Sequence, residues 1–414
     1  MRIVRPTSAP WQQPERYWPE LEAATTALDP PYGVISLPAL AHNAFDMLDR
    51  ANGTPIRVAS KSVRVRPLID AVLALPGYAG VLAYTLAEAN WLATTSEHGE
   101  AIADVVVAYP TADRAALLQL ATSPELAARV TIMVDSSDQL DYVDAVIPPD
   151  RRESIRVCLE LDASYITPLF GHIGVFRSPI HTAEAARAFA AVIASRPGFT
   201  LVGMMGYEAQ IAGLVNNPAG NPLRGRAVTF LQSRSKRELA ERRGAAIAAV
   251  EEVTPLEFVN AGGTGSIESS VAEAGVTEVA AGSGLFGPHL FDNYTHFHPA
   301  PAAAFALSVV RKPSPKTAVL MGGGWIASGP AAADRSPKLV WPAGLKMVPR
   351  EMAGEVQTPL TGPAAARLRM GDRVWLRHTK AGEVSEHLDS FAVVDDGAIV
   401  ATLPTYRGQG QVFL

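Results

Sequence analysis

Residues 56–62 read Ile-Arg-Val-Ala-Ser-Lys-Ser, a short β-branched apolar run that delivers a lysine at its end. Runs of the same kind recur at 80–84, 104–108, 130–134, 155–161, 201–204, 257–260 and 277–281. Most are continuously apolar rather than alternating, as strands of a parallel sheet are when both faces are covered. The segments between them, such as 86–98 and 182–195, have the composition and length of helices. Eight strand–helix units over roughly 250 residues match a (β/α)8 barrel. An open doubly wound sheet remains the alternative, because periodicity does not record strand order. From about Pro299 the pattern changes to short Val, Leu and Trp strands between Gly/Pro turns, at 306–311, 317–320, 374–377, 391–394 and 398–403. The expected fold class is α/β: a (β/α)8 barrel over 35–298 and a C-terminal β-rich domain over 299–414. The Pro- and Trp-rich segment 1–34 is expected to pack on that second domain.

Composition narrows the function classes. Hydrophobic residues make up 48% of the 414 and charged residues 19%, which speaks against disorder and against a coiled coil. The 36 Lys+Arg against 41 Asp+Glu give a net charge of -5 with no long basic block, so nucleic acid is not an expected partner. Cys158 is the only cysteine, which excludes an internal disulfide and fits a reducing compartment; inside an apolar strand it reads as inert core. No signal-peptide core and no run of about 20 apolar residues is present, so a soluble cytoplasmic protein without membrane contact is expected.

In a (β/α)8 barrel the reacting groups gather at the C-terminal ends of the strands. Lys61 leaves the first run directly into that mouth, where partial loss of water favours a neutral amine able to attack a carbonyl. The competing reading is a surface lysine that reaches back to solvent. After the seventh run comes Asn260-Ala261-Gly262-Gly263-Thr264-Gly265-Ser266, and after the eighth Ala281-Gly282-Ser283-Gly284. Glycine-rich loops at these two strand ends form the usual phosphate site of the barrel, with Thr264, Ser266 and Ser283 adding hydroxyl donors. A phosphate anchor together with a Schiff-base lysine describes pyridoxal 5'-phosphate (PLP).

At this point the chain resembles a known family. Residues 57–64 (RVASKSVR), 80–88 (GVLAYTLAE), 203–207, 263–266 and 282–286 are similar to the D-threonine aldolase/D-serine dehydratase group, within the alanine-racemase fold type of PLP enzymes. The resemblance spans the barrel and, more weakly, the β domain. It implies that Lys61 carries the cofactor, that Tyr207 flanks it, and that Gly263, Thr264, Gly265, Gly282 and Ser283 hold the phosphate. It also implies a homodimer acting on a small amino acid.

Two departures from the family pattern matter. Near the pyridine ring the family has an arginine followed by x-Gly-Val; here 171–177 reads Gly-His-Ile-Gly-Val-Phe-Arg, with His172 in the arginine's place and Arg177 five residues later. His172 is either a cofactor neighbour or a loop residue, and the ring's protonation stays open. Family members that cleave D-threonine or D-serine hold a divalent metal with a His-x-Asp or His-x-Cys pair. That pair falls at Lys380 and Gly382 here. Three readings stand: His387 and Asp389, one strand repeat apart, restore the pair; the Lys380 ammonium supplies the metal's charge; or the segment is an ordinary solvated charged strand. The cluster His289, His296, Phe297, His298 reads as aromatic connector.

The activity that follows is a PLP-dependent lyase acting on D-configured β-hydroxy amino acids, by retro-aldol cleavage or dehydration. A racemase, with Tyr406 as second acid–base group, is the alternative; a PLP-carrying protein without turnover is a third reading.

Overall fold

All eight expected runs are strands, and they close on one another. The computed structural model of the chain describes residues 1–168, 171–218, 221–329, 332–380 and 382–414. Strand β1 (Tyr32–Ser36) precedes the barrel in sequence but pairs elsewhere. The barrel begins with β2 (Ile56–Ala59), β3 (Tyr78–Ala83), β4 (Val105–Val107), β5 (Val130–Val134) and β6 (Ile155–Glu160). A hairpin of β7 (Tyr165–Thr167) and β8 (Gly171–Ile173) follows. The barrel is completed by β9 (Phe199–Gly206), β10 (Phe258–Ala261) and β11 (Glu278–Ala281), in the cyclic order β10-β11-β2-β3-β4-β5-β6-β9 with every pairing parallel. This closed ring replaces the open-sheet alternative, and it leaves no edge to protect.

The apolar runs are what the ring requires, since each strand is covered on both sides. Every residue of β4 and β5 is buried. The interior packs Val106, Met133, Cys158, Val202, Met205 and Phe258 against Leu82 and Tyr109. Burial, then the nearby Glu278 and Glu160, push the Cys158 thiol well above its usual range, so it stays protonated core. One polar layer interrupts this filling. Arg57, 2% exposed, forks onto Glu278 (2.7 and 2.8 Å) and reaches Asp104 (2.8 Å), while Asn260 donates to the same Glu278 (2.8 Å). Helix starts follow ordinary capping chemistry: Thr85, Asp113, Ser123 and Thr182 each accept an amide hydrogen from the first turn.

Contacts divide the chain into two compact units. One holds Met47–Lys61, Leu73–Ala281 and Phe413–Leu414; the other holds Met1–Asp46, Ser62–Val72 and Gly282–Val412. The second unit is built on a nine-stranded sheet of β1, β12 (Ala303–Ser314), β13 (Thr317–Met321), β14 (Lys338–Trp341), β15 (Lys346–Met347), β16 (Gln357–Thr361), β17 (Arg373–Arg377), β18 (Ser390–Asp395) and β19 (Ala398–Pro404). β1 lies between β12, to which it is antiparallel, and β18, to which it is parallel. On this sheet the helix Pro14–Ala24 buries Tyr17, Trp18 and Leu21 against Tyr32, Val34, Ala304, Ala306, Trp375 and Val394. Arg373 fastens the helix end by donating to the carbonyls of Thr25, Thr26 and Leu28 (2.7–2.9 Å). Among the described residues no helix is long and apolar enough to cross a membrane.

One glycine in this unit is conformationally required. Gly287 ends the turn Ser283–Phe286 at φ 62°, and a Cβ there would stand 1.9 Å from the Ala300 carbonyl oxygen. Buried Asn43 holds both sides, donating to Leu285 and Ala300 and accepting from the Ala300 amide (2.7–3.1 Å). The left-handed conformation alone costs a substituted residue roughly 1–3 kcal/mol. We expect Gly287→Ala to lower the thermal unfolding midpoint by several degrees; an unchanged midpoint would contradict this account of the turn.

Candidate active site

Four barrel strands converge on one cluster at their C-terminal ends. Lys61 follows β2 in the short turn Ser60–Ser62, and Tyr109 stands just beyond β4. Lys61 Nζ lies 3.3 Å from the Tyr109 hydroxyl. Arg177, four residues past β8, donates to the same hydroxyl from 3.1 Å and to Glu160, at the end of β6, from 3.0 Å. Its guanidinium also lies over two rings, Tyr109 at 4.7 Å and Tyr207 at 5.1 Å, the latter directly after β9. Ser178 ties the arginine's segment to β6 by donating to the Glu160 carbonyl (2.7 Å).

The electrostatics differ from ring to ring. Burial raises the Tyr109 phenol, but Lys61 and Arg177 outweigh it and bring the group below its ordinary value. Loss of water around the Tyr207 hydroxyl pushes that group up to about 12, the Arg177 cation only partly opposing it, so Tyr207 is neutral. Burial also raises Glu160, against the pull of Arg177.

The glycine-rich loop after β10 is shaped by a buried carboxylate. Glu208 accepts from the hydroxyls of Ser266 (2.9 Å) and Ser270 and from the Gly262 amide (3.3 Å). Arg243 pairs with it at 2.9 Å, both side chains 1% exposed, and also with Glu273 at 2.6 Å. On the far side Arg50 donates to the Thr264 carbonyl (2.6 Å). Gly262 sits at φ 84°, and a Cβ on Gly263 would meet the Tyr207 ring at 3.0 Å and Ala212 at 3.1 Å. Ser266, expected as a phosphate donor, instead gives its hydrogen to Glu208. Gly282 and Ser283 directly follow β11 and open the turn Ser283–Phe286.

Of the residues expected from the sequence, Lys61, Arg177 and Tyr207 are brought together. His172 is not in that group: its ring stacks on Phe176 (4.1 Å, 10° between planes), an exposed side chain. Arg177 thus reaches the cluster that the family's arginine position, taken by His172, does not. His387 and Asp389 depart from the expectation in a different way. They lie between the turn Gly382–Glu386 and β18, so strand alternation does not align them. His387 stacks flat on Trp325 (4.8 Å, 5°), and Asp389, 81% exposed, pairs with Arg407 (3.2 Å). Among the described residues no three His, Cys, Asp or Glu side chains converge as metal ligands. Lys380 is half-buried, and its amide, like that of Thr379, donates to Glu383 (2.8 and 3.0 Å). His378 is fully buried edge-on to Phe286, and burial, then Arg377, push it down to about 3. His289 is held neutral by burial and bonds Ser336 and Thr379, while His296 and Phe297 join an aromatic cluster with Phe291 and Tyr294. Tyr406 is 1% exposed.

Tyr109, Glu160, Glu208 and Arg243 were not singled out from the sequence. Tyr109 carried a usable signal, being a polar-tipped residue just past a barrel strand, as Lys61 is. Glu208 and Arg243 carried none, since they meet only through tertiary structure.

A parallel eight-stranded barrel joined to a large β-rich unit is the alanine-racemase-like fold. Among solved structures the chain is similar to D-threonine aldolase from Filomicrobium marinum, at 19% identity and a TM-score of 0.74 over 93% of this chain and 96% of that one. It is also similar to D-threo-3-hydroxyaspartate dehydratase from Delftia sp. HT23 (19%, 0.66, 92% and 98%) and to alanine racemase from Corynebacterium glutamicum (16%, 0.55, 84% and 90%). No family model matches the chain, and no curated protein matches it in sequence.

Proposed function

We propose that this chain is a PLP-dependent enzyme of amino-acid metabolism, and within that class a lyase acting on D-configured β-hydroxy amino acids. The observation that carries the reading is the Lys61 amine at the end of a barrel strand, 3.3 Å from Tyr109 and backed by the Arg177 cation. The residues fit the cofactor. Lys61 offers the amine for its aldehyde, and the loop at 262–265, kept clear of a Cβ at Gly263, offers backbone to an anion. Gly263, Thr264 and Gly265 are the residues assigned to its phosphate. When bound, PLP supplies an electron sink for charge developing at the substrate Cα.

The rest of the chemistry belongs to side chains. Lys61 holds and moves a proton at Nζ, the position from which a Cα hydrogen is removed in dehydration. Tyr207, neutral and wedged between Arg177 and Gly263, fixes the orientation of whatever ring lies against it. Arg177, anchored by Glu160, holds a fixed positive charge over both tyrosine rings. The choice of substrate class draws support from the similarity to D-threonine aldolase and D-threo-3-hydroxyaspartate dehydratase, which match with higher TM-scores than the alanine racemase does. Racemisation draws less, because Tyr406 is packed away at 1% exposure.

The test is incubation of the PLP-loaded protein with D-threonine, D-serine and D-phenylserine, following aldehyde, ammonia and inverted amino acid separately. Aldehyde or ammonia from the D-isomers supports the lyase. Inverted amino acid alone overturns it in favour of racemisation.

A further inference from the structure

We propose that Tyr109 is the proton partner of Lys61: its hydroxyl oxygen takes a proton from the Lys61 ammonium and returns it, so that the amine is presented in its neutral, nucleophilic form. The inference rests on Lys61 being the reacting amine. In the transfer an Nζ–H bond breaks and an Oη–H bond forms; ammonium and phenolate become amine and phenol, and no other reactant is needed.

The geometry is that of a phenol with two cationic donors aimed at one oxygen, Lys61 at 3.3 Å and Arg177 at 3.1 Å. Charge-assisted donors stabilise the ionised acceptor more than the neutral one. Neither donor is on the tyrosine's own strand: Lys61 comes from the turn after β2 and Arg177 from the segment after β8. Two further titratable groups among the described residues stand near this point and are otherwise engaged. Glu160, on β6, is bound to Arg177, and Tyr207, after β9, is held neutral. The Tyr109 phenol, brought below its ordinary value by the two cations against the effect of burial, agrees with this arrangement. Tyr109 also lines a cavity of about 270 Å³, with Tyr84, Thr85, Thr111, Asp113 and Phe413 among its walls, through which a proton can exchange with solvent. Asp113 is there spent on capping, accepting from the Ala116 amide at 3.0 Å.

The experiment compares wild type, Tyr109→Phe and Lys61→Met as full-length protein freed of cofactor. Ultraviolet titration of wild type should show one tyrosine ionising below the ordinary range. That step should vanish in Tyr109→Phe and move to higher pH in Lys61→Met, where the tyrosine itself is untouched. Acylation of Lys61 by a small amine-reactive reagent, read by peptide mass, should slow about 100-fold in Tyr109→Phe, with its rise shifted to higher pH. Capture of PLP, trapped by borohydride, should slow in parallel. Equal acylation rates and pH profiles in wild type and Tyr109→Phe would overturn the inference, as would a titration curve identical in wild type and Lys61→Met. Failure of wild type to fix a pyridoxyl group on Lys61 would instead count against the cofactor reading, leaving the acylation comparison to decide the Tyr109–Lys61 pair.

Discussion

Lys61→Ala should fold like the wild type, fix no pyridoxyl group under borohydride, and lose turnover by at least about a thousand-fold, as removal of a covalent nucleophile does elsewhere. The two halves of this expectation have separate structural grounds. Folding survives because Lys61 is only half-buried and stands in a turn just past β2, outside the packed interior formed by Val106, Met133, Cys158, Val202 and Phe258. Chemistry fails because Tyr109, which the amine touches, and Arg177, which bonds the same hydroxyl, carry no group that forms a stable imine. Peptide mass spectrometry after reduction is the decisive measurement. A pyridoxyl group found on another lysine in wild type, or persisting in the variant, sinks the assignment.

Glu208→Ala is the second large effect, and it concerns stability. The carboxylate gathers Ser266, Ser270, the Gly262 amide and the Arg243 guanidinium in a space with no water access, both charged side chains being 1% exposed. Removing one partner of such a pair strands the other charge and typically costs roughly 3–5 kcal/mol. Arg243 keeps Glu273, which trims the loss but leaves the two serines and the glycine amide without their acceptor. A clear fall in the thermal midpoint is therefore expected. Glu208→Gln keeps the shape and separates positioning from folding. It should weaken binding of PLP more than that of pyridoxal, which lacks the phosphate, because the loop at 262–266 loses its template. Equal weakening of both would mean that the carboxylate only supports the fold.

How much of this was legible in the chain depended on how local each signal was. The barrel strands stood out because a strand covered on both faces must be apolar throughout, as Val105–Val107 and Val130–Val134 are. β1 escaped notice because Tyr32–Ser36 finds its partners only in β12 and β18, far along the chain. β16 was hidden differently: Gln357–Thr361 is short, polar at its ends and carries Pro359. In the site, a lysine closing an apolar run announced itself. His172 and Arg177 both fall within 171–177, and the sequence does not tell that the hairpin β7–β8 turns the histidine onto Phe176 and brings the arginine back to Glu160. Glu208 and Arg243 meet only through tertiary structure, and no spacing rule links a residue after β9 with one inside the helix Pro222–Glu251.

The placement of β1 has a consequence for how the protein is made. A ribosome releases Tyr32–Ser36 well before both flanking neighbours of that strand, which belong to segments translated much later. Until then its amide and carbonyl groups are paired only with water, and the Tyr17, Trp18 and Leu21 face of the helix before it has no complete surface to cover. The nascent chain therefore passes through a period of exposed stickiness, and its yield in cells should respond to chaperone supply and translation speed more sharply than the stability of the finished molecule would suggest.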